Sequence, residues 1–510
     1  MNGPAALAIE RRDRQLAIAA GLAVFVLHAA VAGRYDLFRD ELYFIVCGQN
    51  PAFGYVDQPP LVPLAAAALY KLGLGAWGLR LPAAGAAGAL VWVTMRFARM
   101  LRPGRLAMAL AGLGAALAPM LMGITAVLTT SAFDPLAWTA VAWLLVRALR
   151  EGDGRALIFA GVIVGVALEI KYAMAFWTVG LGAGLLLTPE RRIVLRPALW
   201  ICLALAVVIA APSAIWQLTH GLPFLELGAA ARGKNVDVAL LPFLGNQVFV
   251  MNPAFAPLWI AGLVAPFASA RFRDLRFLVI AAAVVFAIVR LGHGKDYYLA
   301  PLYPTLFAIG AAALAPLIRG MAARAVSAML AAAGVLIAAV VAPLALPILP
   351  PQALGPYMER IGVAPQQQER SFKGTALPQV FADQLGWRDF TRQVEAAWAQ
   401  VPGAERPATG ILVDNYGEAA SLDLYGHGLP PALTGHNQYY LWGLRGQDPA
   451  NLLVVTDDPD GLRPYCRETR VLGTTHSPLA MASENGKAIA LCRGLSPSLK
   501  ALWPRLKHLA

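Results

Sequence analysis

The sequence predicts a polytopic α-helical membrane protein of about eleven spans, with a small α/β domain at its C-terminal end. Three observations carry that prediction. Of 510 residues, 58% are hydrophobic and 14% charged, against about 25% charged in soluble domains. The shortfall is uneven. Roughly the first 350 residues are rich in Ala, Leu, Val and Gly, whereas the rest intersperses Asp, Glu, Asn, Gln and His as globular sequence does. The arginines fall in short clusters between apolar runs, which is how membrane topology is encoded. The net charge of +12 and pI near 9.7 therefore do not point to nucleic acid, and no zinc-finger spacing or basic helix accompanies them.

A spanning helix needs about 20 mostly apolar residues. Segments 15–33, 79–98, 105–123, 126–148, 155–170, 173–189, 197–217, 248–270, 276–292, 297–318 and 322–348 meet this requirement. The fifth and sixth are short and closely joined. Segment 61–72 is too short to cross and reads as a helix lying at the interface. The first run ends in His-Ala-Ala-Val-Ala-Gly, loosely like a signal-peptide cleavage site, but it is long enough to span and reads as an uncleaved helix.

Arg11, Arg12 and Arg14 place the N-terminus in the cytoplasm. The cytoplasmic connections then collect Arg96, Arg99, Arg102 and Arg105; Arg147, Arg150 and Arg155; Arg191, Arg192 and Arg196; Arg271, Arg273 and Arg276; and Arg319 and Arg324. The alternation holds through all eleven helices and puts the C-terminal domain outside. A boundary near 349 separates the membrane domain, 1–349, from the outer domain, 350–510. The proline-rich stretch 343–356 ends the last helix and reads as a stiff linker. In the outer domain, 383–400 reads as a helix, and Gly410-Ile-Leu-Val and Leu452-Leu-Val-Val-Thr read as short buried strands. Trp387, Trp398 and Trp442 can supply its core. Cys202 sits in an apolar run as packing, and Cys47 stands alone in a loop. Cys466 and Cys492 either pair, if they face an oxidising compartment, or stay unpaired.

The predicted outer side holds the chemistry. The loop at 34–80 carries Asp36, Asp40, Glu41 and Asp57 beside a membrane surface, among Arg39, Tyr43, Tyr55 and Gln58. Neighbouring carboxylates near a low-dielectric slab repel, so at least one pKa should rise, which suits a general base. The plain alternative is that these acids solvate a loop and cap a helix starting near Asp40. Asp134, Glu169, Lys171, Tyr172, His220, His293, Lys295, Tyr297 and Tyr298 fall in other outer turns. Lysines at helix ends either bind an anionic headgroup or simply anchor at the interface, as tyrosines also do. Asp134 either binds substrate or starts a helix ahead of Pro135.

Arg39-Asp40-Glu41-Leu42-Tyr43, followed by Gly54-Tyr55-Val56-Asp57-Gln58-Pro59-Pro60-Leu61, resembles bacterial members of glycosyltransferase family 39, which are similar to protein O-mannosyltransferases and the lipid A aminoarabinose transferase. The resemblance continues at Ser131-Ala-Phe-Asp134-Pro135, Glu169-Ile-Lys171-Tyr172, the segment 212–221 with Trp216, Gln217 and His220, Gly294-Lys295-Asp-Tyr297-Tyr298, and Gln384-Leu-Gly-Trp387. It implies a GT-C fold, a polyprenyl-phosphate-linked monosaccharide donor, and transfer with inversion on the periplasmic face of the inner membrane. It implies Asp40 as the catalytic aspartate and Glu41 as its partner. Substrate contacts are expected from Arg39, Tyr43, Tyr55, Asp57, Gln58, Asp134, Lys171, Tyr172, His220, His293, Lys295, Tyr297 and Tyr298. The acceptor is expected to be a lipid, a glycan or a protein; the pattern does not match the eukaryotic mannosyltransferases in their additional soluble domain, which counts against protein. No cofactor is expected. Two carboxylates could hold Mg²⁺, but a monophosphate donor offers no diphosphate for a cation to bridge. The rival reading is a lipid or solute transporter, which predicts ionisable residues deep in the helices. Here they sit at helix ends.

Overall fold

The computed structural model describes residues 4–236, 238–365, 369 and 372–509. The chain divides into two units. One comprises Met1–Arg34, Trp77–Ile215 and Asp237–Ile348; the other comprises Tyr35–Ala76, Trp216–Val236 and Leu349–Ala510.

The first unit is helical. Among the described residues, six helices are long and apolar enough to cross a membrane: Ala8–Val31, Gly75–Leu101, Thr130–Glu151, Pro197–Thr219, Asp296–Leu317 and Gly320–Ala345. A seventh span is broken, because Leu240–Val250 and Pro253–Ala268 meet at 94°. The shorter helices Arg105–Ala116, Gly154–Leu168, Met174–Leu186 and Arg276–Leu291 fall on the other expected segments. Helix thus lies on all eleven expected segments, while six satisfy the length requirement unaided. The straight span expected at 248–270 is bent at Asn252, whose φ of 69° is one that Asn tolerates better than most residues. Its Nδ2 donates to Leu117 O and Gly334 O, and its Oδ1 accepts from Ala254 N. The side chain therefore bonds backbone groups around the break, as a broken helix in lipid requires.

Close packing comes from small residues. A Cβ on Gly310 would lie 1.7 Å from Leu258 O, and one on Gly184 would lie 2.1 Å from Phe277 O. Helix backbones touch at both points. Trp138 and Trp177 stack in the core with centroids 5.3 Å apart. Elsewhere the helices present apolar side chains outward. Val207 and Val208 are each 69% exposed, a surface suited to lipid rather than water. The arginine clusters tie helix ends together. Arg99 and Arg105 bind Asp13 at 2.7 and 3.1 Å, Arg150 binds Asp274 at 2.6 Å, and Arg271 donates to Leu101 O.

The second unit joins most of the loop at 34–80 to the C-terminal residues. Its sheet has the order β1-β2-β4-β3: β1 Thr409–Leu412, β2 Asn451–Thr456, β3 Cys466–Thr474 and β4 Ala488–Leu495. β1 runs parallel to β2, with Ile411 opposite Leu453; the other pairs are antiparallel, with Val454 opposite Ala490. The two strands read from sequence are β1 and β2. The expected helix is Trp387–Ala399, which buries Trp387, Phe390, Val394 and Trp398 along one face. Trp442 is only half-buried. The stretch 343–356 is not a linker: Pro343 lies inside the helix Gly320–Ala345, and Pro351 opens the helix Pro351–Ile361, where a missing N–H costs nothing. Cys47 is not in a loop but buried in the helix Arg39–Gln49. Cys202 is buried, and Cys466 and Cys492 form a disulfide.

One polar cluster organises this unit. Lys487, 1% exposed, places Nζ 2.6 Å from Glu418 Oε1, 3.2 Å from Asp414 Oδ2 and 3.7 Å from Glu484 Oε2. Glu418 Oε2 accepts the backbone N–H of Asp414, while Asn415 caps the helix Tyr416–Tyr425 by accepting from Gly417 N and Glu418 N. The cation thus sets where Tyr416 enters its helix. Lys487→Met should cost about 3–5 kcal/mol, because it strands buried carboxylates. The denaturation midpoint of the detergent-solubilised full chain reads this; an unmoved midpoint would show that the cluster carries no stability.

Candidate active site

The acid-rich loop forms its site within the second unit. The helix Arg39–Gln49 begins there. Glu41, fully buried, accepts the N–H of Phe38 at 2.8 Å through Oε2 and so caps that helix. Asp40, one residue earlier, points elsewhere. Its side chain is 32% exposed and accepts the Tyr416 hydroxyl at 2.8 Å through Oδ1. Arg39 lies 4.0 Å from Asp40 and 3.6 Å from Asp383, with its guanidinium 5.4 Å from the Tyr416 ring centroid. Burial pushes the Asp383 carboxyl up to about 6, against the pull of Arg39. One oxygen of that buried carboxylate, Oδ1, has no hydrogen-bond partner among the described residues.

Asp57 is a carboxylate of this loop whose affinity for a proton rises toward neutrality. It is half-buried. The Tyr43 hydroxyl donates to its Oδ1 at 3.0 Å, and Asn437 Nδ2 donates to its Oδ2 at 3.3 Å. Burial lifts it to about 7; these donors oppose the rise and the charge of Asp40 adds to it. The Tyr43 ring packs against Tyr416 with centroids 4.6 Å apart, so the two carboxylates are held by adjoining tyrosines. The rest of the loop is scaffolding. The Tyr55 hydroxyl donates to Cys47 O at 2.8 Å, Gln58 O accepts Tyr55 N, and Gln438 Oε1 accepts Val56 N. Gln217 Nε2 donates to Tyr55 O, and Trp216 lies under Gly54, where a Cβ would come within 2.9 Å of the indole. His220 stacks on Trp216 at 4.1 Å and faces solvent.

A second cluster of expected residues forms within the first unit. Lys171 Nζ lies 3.2 Å from Asp134 Oδ2, donates to Ser131 Oγ at 2.6 Å, and sits 5.3 Å from the Tyr298 ring centroid. Asp134 is in the first turn of its helix beside Pro135, so it both serves that helix end and pairs with Lys171. Tyr297 packs edge-on against Tyr298 at 4.7 Å, and Lys295 Nζ lies 5.9 Å from the Tyr297 ring. The resulting row runs Asp134, Lys171, Tyr298, Tyr297, Lys295. His293 is exposed at φ 52° in the preceding turn, and Tyr172 is half-buried in the turn after Lys171. Among the described residues, no group of three or more His, Cys, Asp or Glu side chains is placed to hold a metal ion.

Sequence reading missed the partners supplied by the C-terminal segment. Asp383 directly precedes the Gln384-Leu-Gly-Trp387 string and was within reach of it. Tyr416 follows Asn415 in an Asn-x-x-Glu capping pattern, a signal of helix start but not of its contact. Asn437 and Gln438 lie about 380 residues from their partners and carry no local signal.

A family model described as dolichyl-phosphate-mannose-protein mannosyltransferase matches residues 57–216. The lipid A galacturonosyltransferase RgtD of Rhizobium johnstonii is 32% identical over 239 residues. That match covers 44% of this chain and spans only about half of the relative, 49% of its length. ArnT from Cupriavidus metallidurans bound to undecaprenyl phosphate superposes with a TM-score of 0.56 at 15% identity, over 94% of this chain and 98% of that one. Its apo form gives a TM-score of 0.59 at 15% identity, over 93% and 97%. The structural likeness shows an ArnT-like fold, and the two sequence matches are to glycosyltransferases over part of the chain.

Proposed function

We propose that the chain is an inverting transferase that moves one monosaccharide from a polyprenyl-phosphate carrier to an acceptor on the periplasmic face of the bacterial inner membrane. In this reading the N-terminus is cytoplasmic and the C-terminal domain periplasmic. The observation that carries the reading is Asp40. It is a partly exposed carboxylate oriented by Tyr416 and Arg39, in the fold of a protein solved with undecaprenyl phosphate. The acceptor oxygen attacks the anomeric carbon as the bond from that carbon to the phosphate oxygen breaks. The phosphate leaves with the bonding pair, and Asp40 takes the acceptor proton. The departing phosphate needs positive charge more than protonation. Lys295, Lys171, Tyr297 and Tyr298 are proposed to supply the cations and hydroxyls. Lys171 also pairs with Asp134. The similarity to a lipid A galacturonosyltransferase favours a lipid acceptor over a protein.

Purified protein given a labelled polyprenyl-phosphate sugar and a lipid acceptor tests this. Asp40→Asn should lower turnover at least 100-fold, as loss of a positioned base does, with expression and melting temperature kept; near-normal turnover would refute the role. Lys295→Met should raise the KM for the donor about tenfold or more, the loss expected when a charged contact is removed. EDTA should leave turnover unchanged, and an EDTA-sensitive rate restored by Mg²⁺ would show that a cation belongs to the mechanism.

A further inference from the structure

The family resemblance implies that Asp40 works with Glu41, but the two side chains sit in different environments. Glu41 is fully buried and its Oε2 receives the Phe38 N–H. A carboxylate used that way holds a helix cap through one oxygen and is closed off from solvent. Asp57 differs on each count. It is half-exposed, and its partners are a hydroxyl and a side-chain amide.

We propose that Asp57, not Glu41, is the second carboxylate working with Asp40, and that Asn437 is the residue positioning Asp57. The inference rests on the transferase reading above. Asn437 suits the role. It is 4% exposed, its φ is 47°, and its Nδ2 is committed to Asp57. Its Oδ1 has no hydrogen-bond partner among the described residues, so the amide is oriented by the bond to Asp57 rather than by its oxygen. The groups facing Asp57 are Asp40, Tyr43 and Cys47 on the helix Arg39–Gln49, Tyr416 on the helix Tyr416–Tyr425, and Asn437 with Gln438 behind Tyr43. His436 touches the far side of the Tyr416 ring. None of these is a cation beside Asp57; the guanidinium of Arg39 is taken up by Asp383 and Asp40.

A singly charged pair fits an anionic donor. With Asp57 protonated, Asp40 accepts the acceptor proton as the glycosidic bond forms, and releases it to solvent after the phosphate has left with its electron pair. Asp57 keeps its own proton throughout and offers a hydrogen bond to a substrate oxygen. When Asp57 also ionises, that donor is lost and a second negative charge opposes the phosphate. Asp57 lies near 7, so turnover should fall as pH rises through neutrality.

The test combines rate profiles with infrared titration of the full-length protein in detergent. Wild type should show a carboxylic acid band that disappears as pH rises through about 7, and kcat/KM should fall over the same interval. Asp57→Asn, a permanently neutral mimic, should lose the band and the alkaline fall. Asn437→Ala removes a donor that favours the ionised form, so band and limb should both move to higher pH. Asn437→Gln should restore part of the shift. Glu41→Gln should leave band and limb in place. A band that survives in Asp57→Asn, or a limb that Asn437→Ala does not move, overturns the pairing. A wild type with the Asp57 titration intact but no sugar transfer overturns the functional reading instead, so the two failures are separable.

Discussion

The hydrogen bond from the Tyr416 hydroxyl to Asp40 joins residues 376 positions apart, and the acid site depends on contacts of this kind. A carboxylate in a short loop has several rotamers and ample water. Fixing one costs conformational entropy that the loop cannot repay through local contacts. In this protein the repayment comes from the C-terminal segment. Tyr416 holds Asp40, Asn437 holds Asp57, Asp383 holds Arg39, and Gln438 holds both Tyr43 and Val56. The buried cluster around Lys487 in turn fixes the cap of the helix that carries Tyr416. The C-terminal segment is therefore part of the acid site.

Burial then separates the carboxylates by task. Glu41 is enclosed and spent on a helix cap, and Asp383 is enclosed beside Arg39. Asp57 is half-enclosed between donors, and Asp40 is partly exposed beside Tyr416. Four acids that look alike in sequence acquire four environments, and environment decides which of them can exchange a proton near neutral pH. In the helical unit the same physics acts through charge placement. Arginines meet acids and carbonyls at helix ends, Lys171 meets Asp134 at the start of a span, and the helix interiors pack through small residues.

Much of this architecture was legible beforehand. Apolar run length reports helices directly, because lipid leaves the backbone no other way to satisfy its hydrogen bonds; each expected segment is helical. The bend at Asn252 was not legible, because it needs backbone partners from Leu117 and Gly334. The helix Pro351–Ile361 was mistaken for a linker because proline blocks a helix interior but favours its first turn. β3 escaped because it lies at the sheet edge with mostly exposed residues and so lacks a buried pattern.

By itself the sequence determined the class of molecule, the residues available at the helix ends, and the loop in which the acids lie, since these follow from composition and local pattern. Only the tertiary structure decided which acid caps a helix, which is clasped by an amide, and which remains open to substrate. Those assignments depend on the few ångströms separating side chains hundreds of residues apart, and electrostatic energy varies steeply with distance and burial.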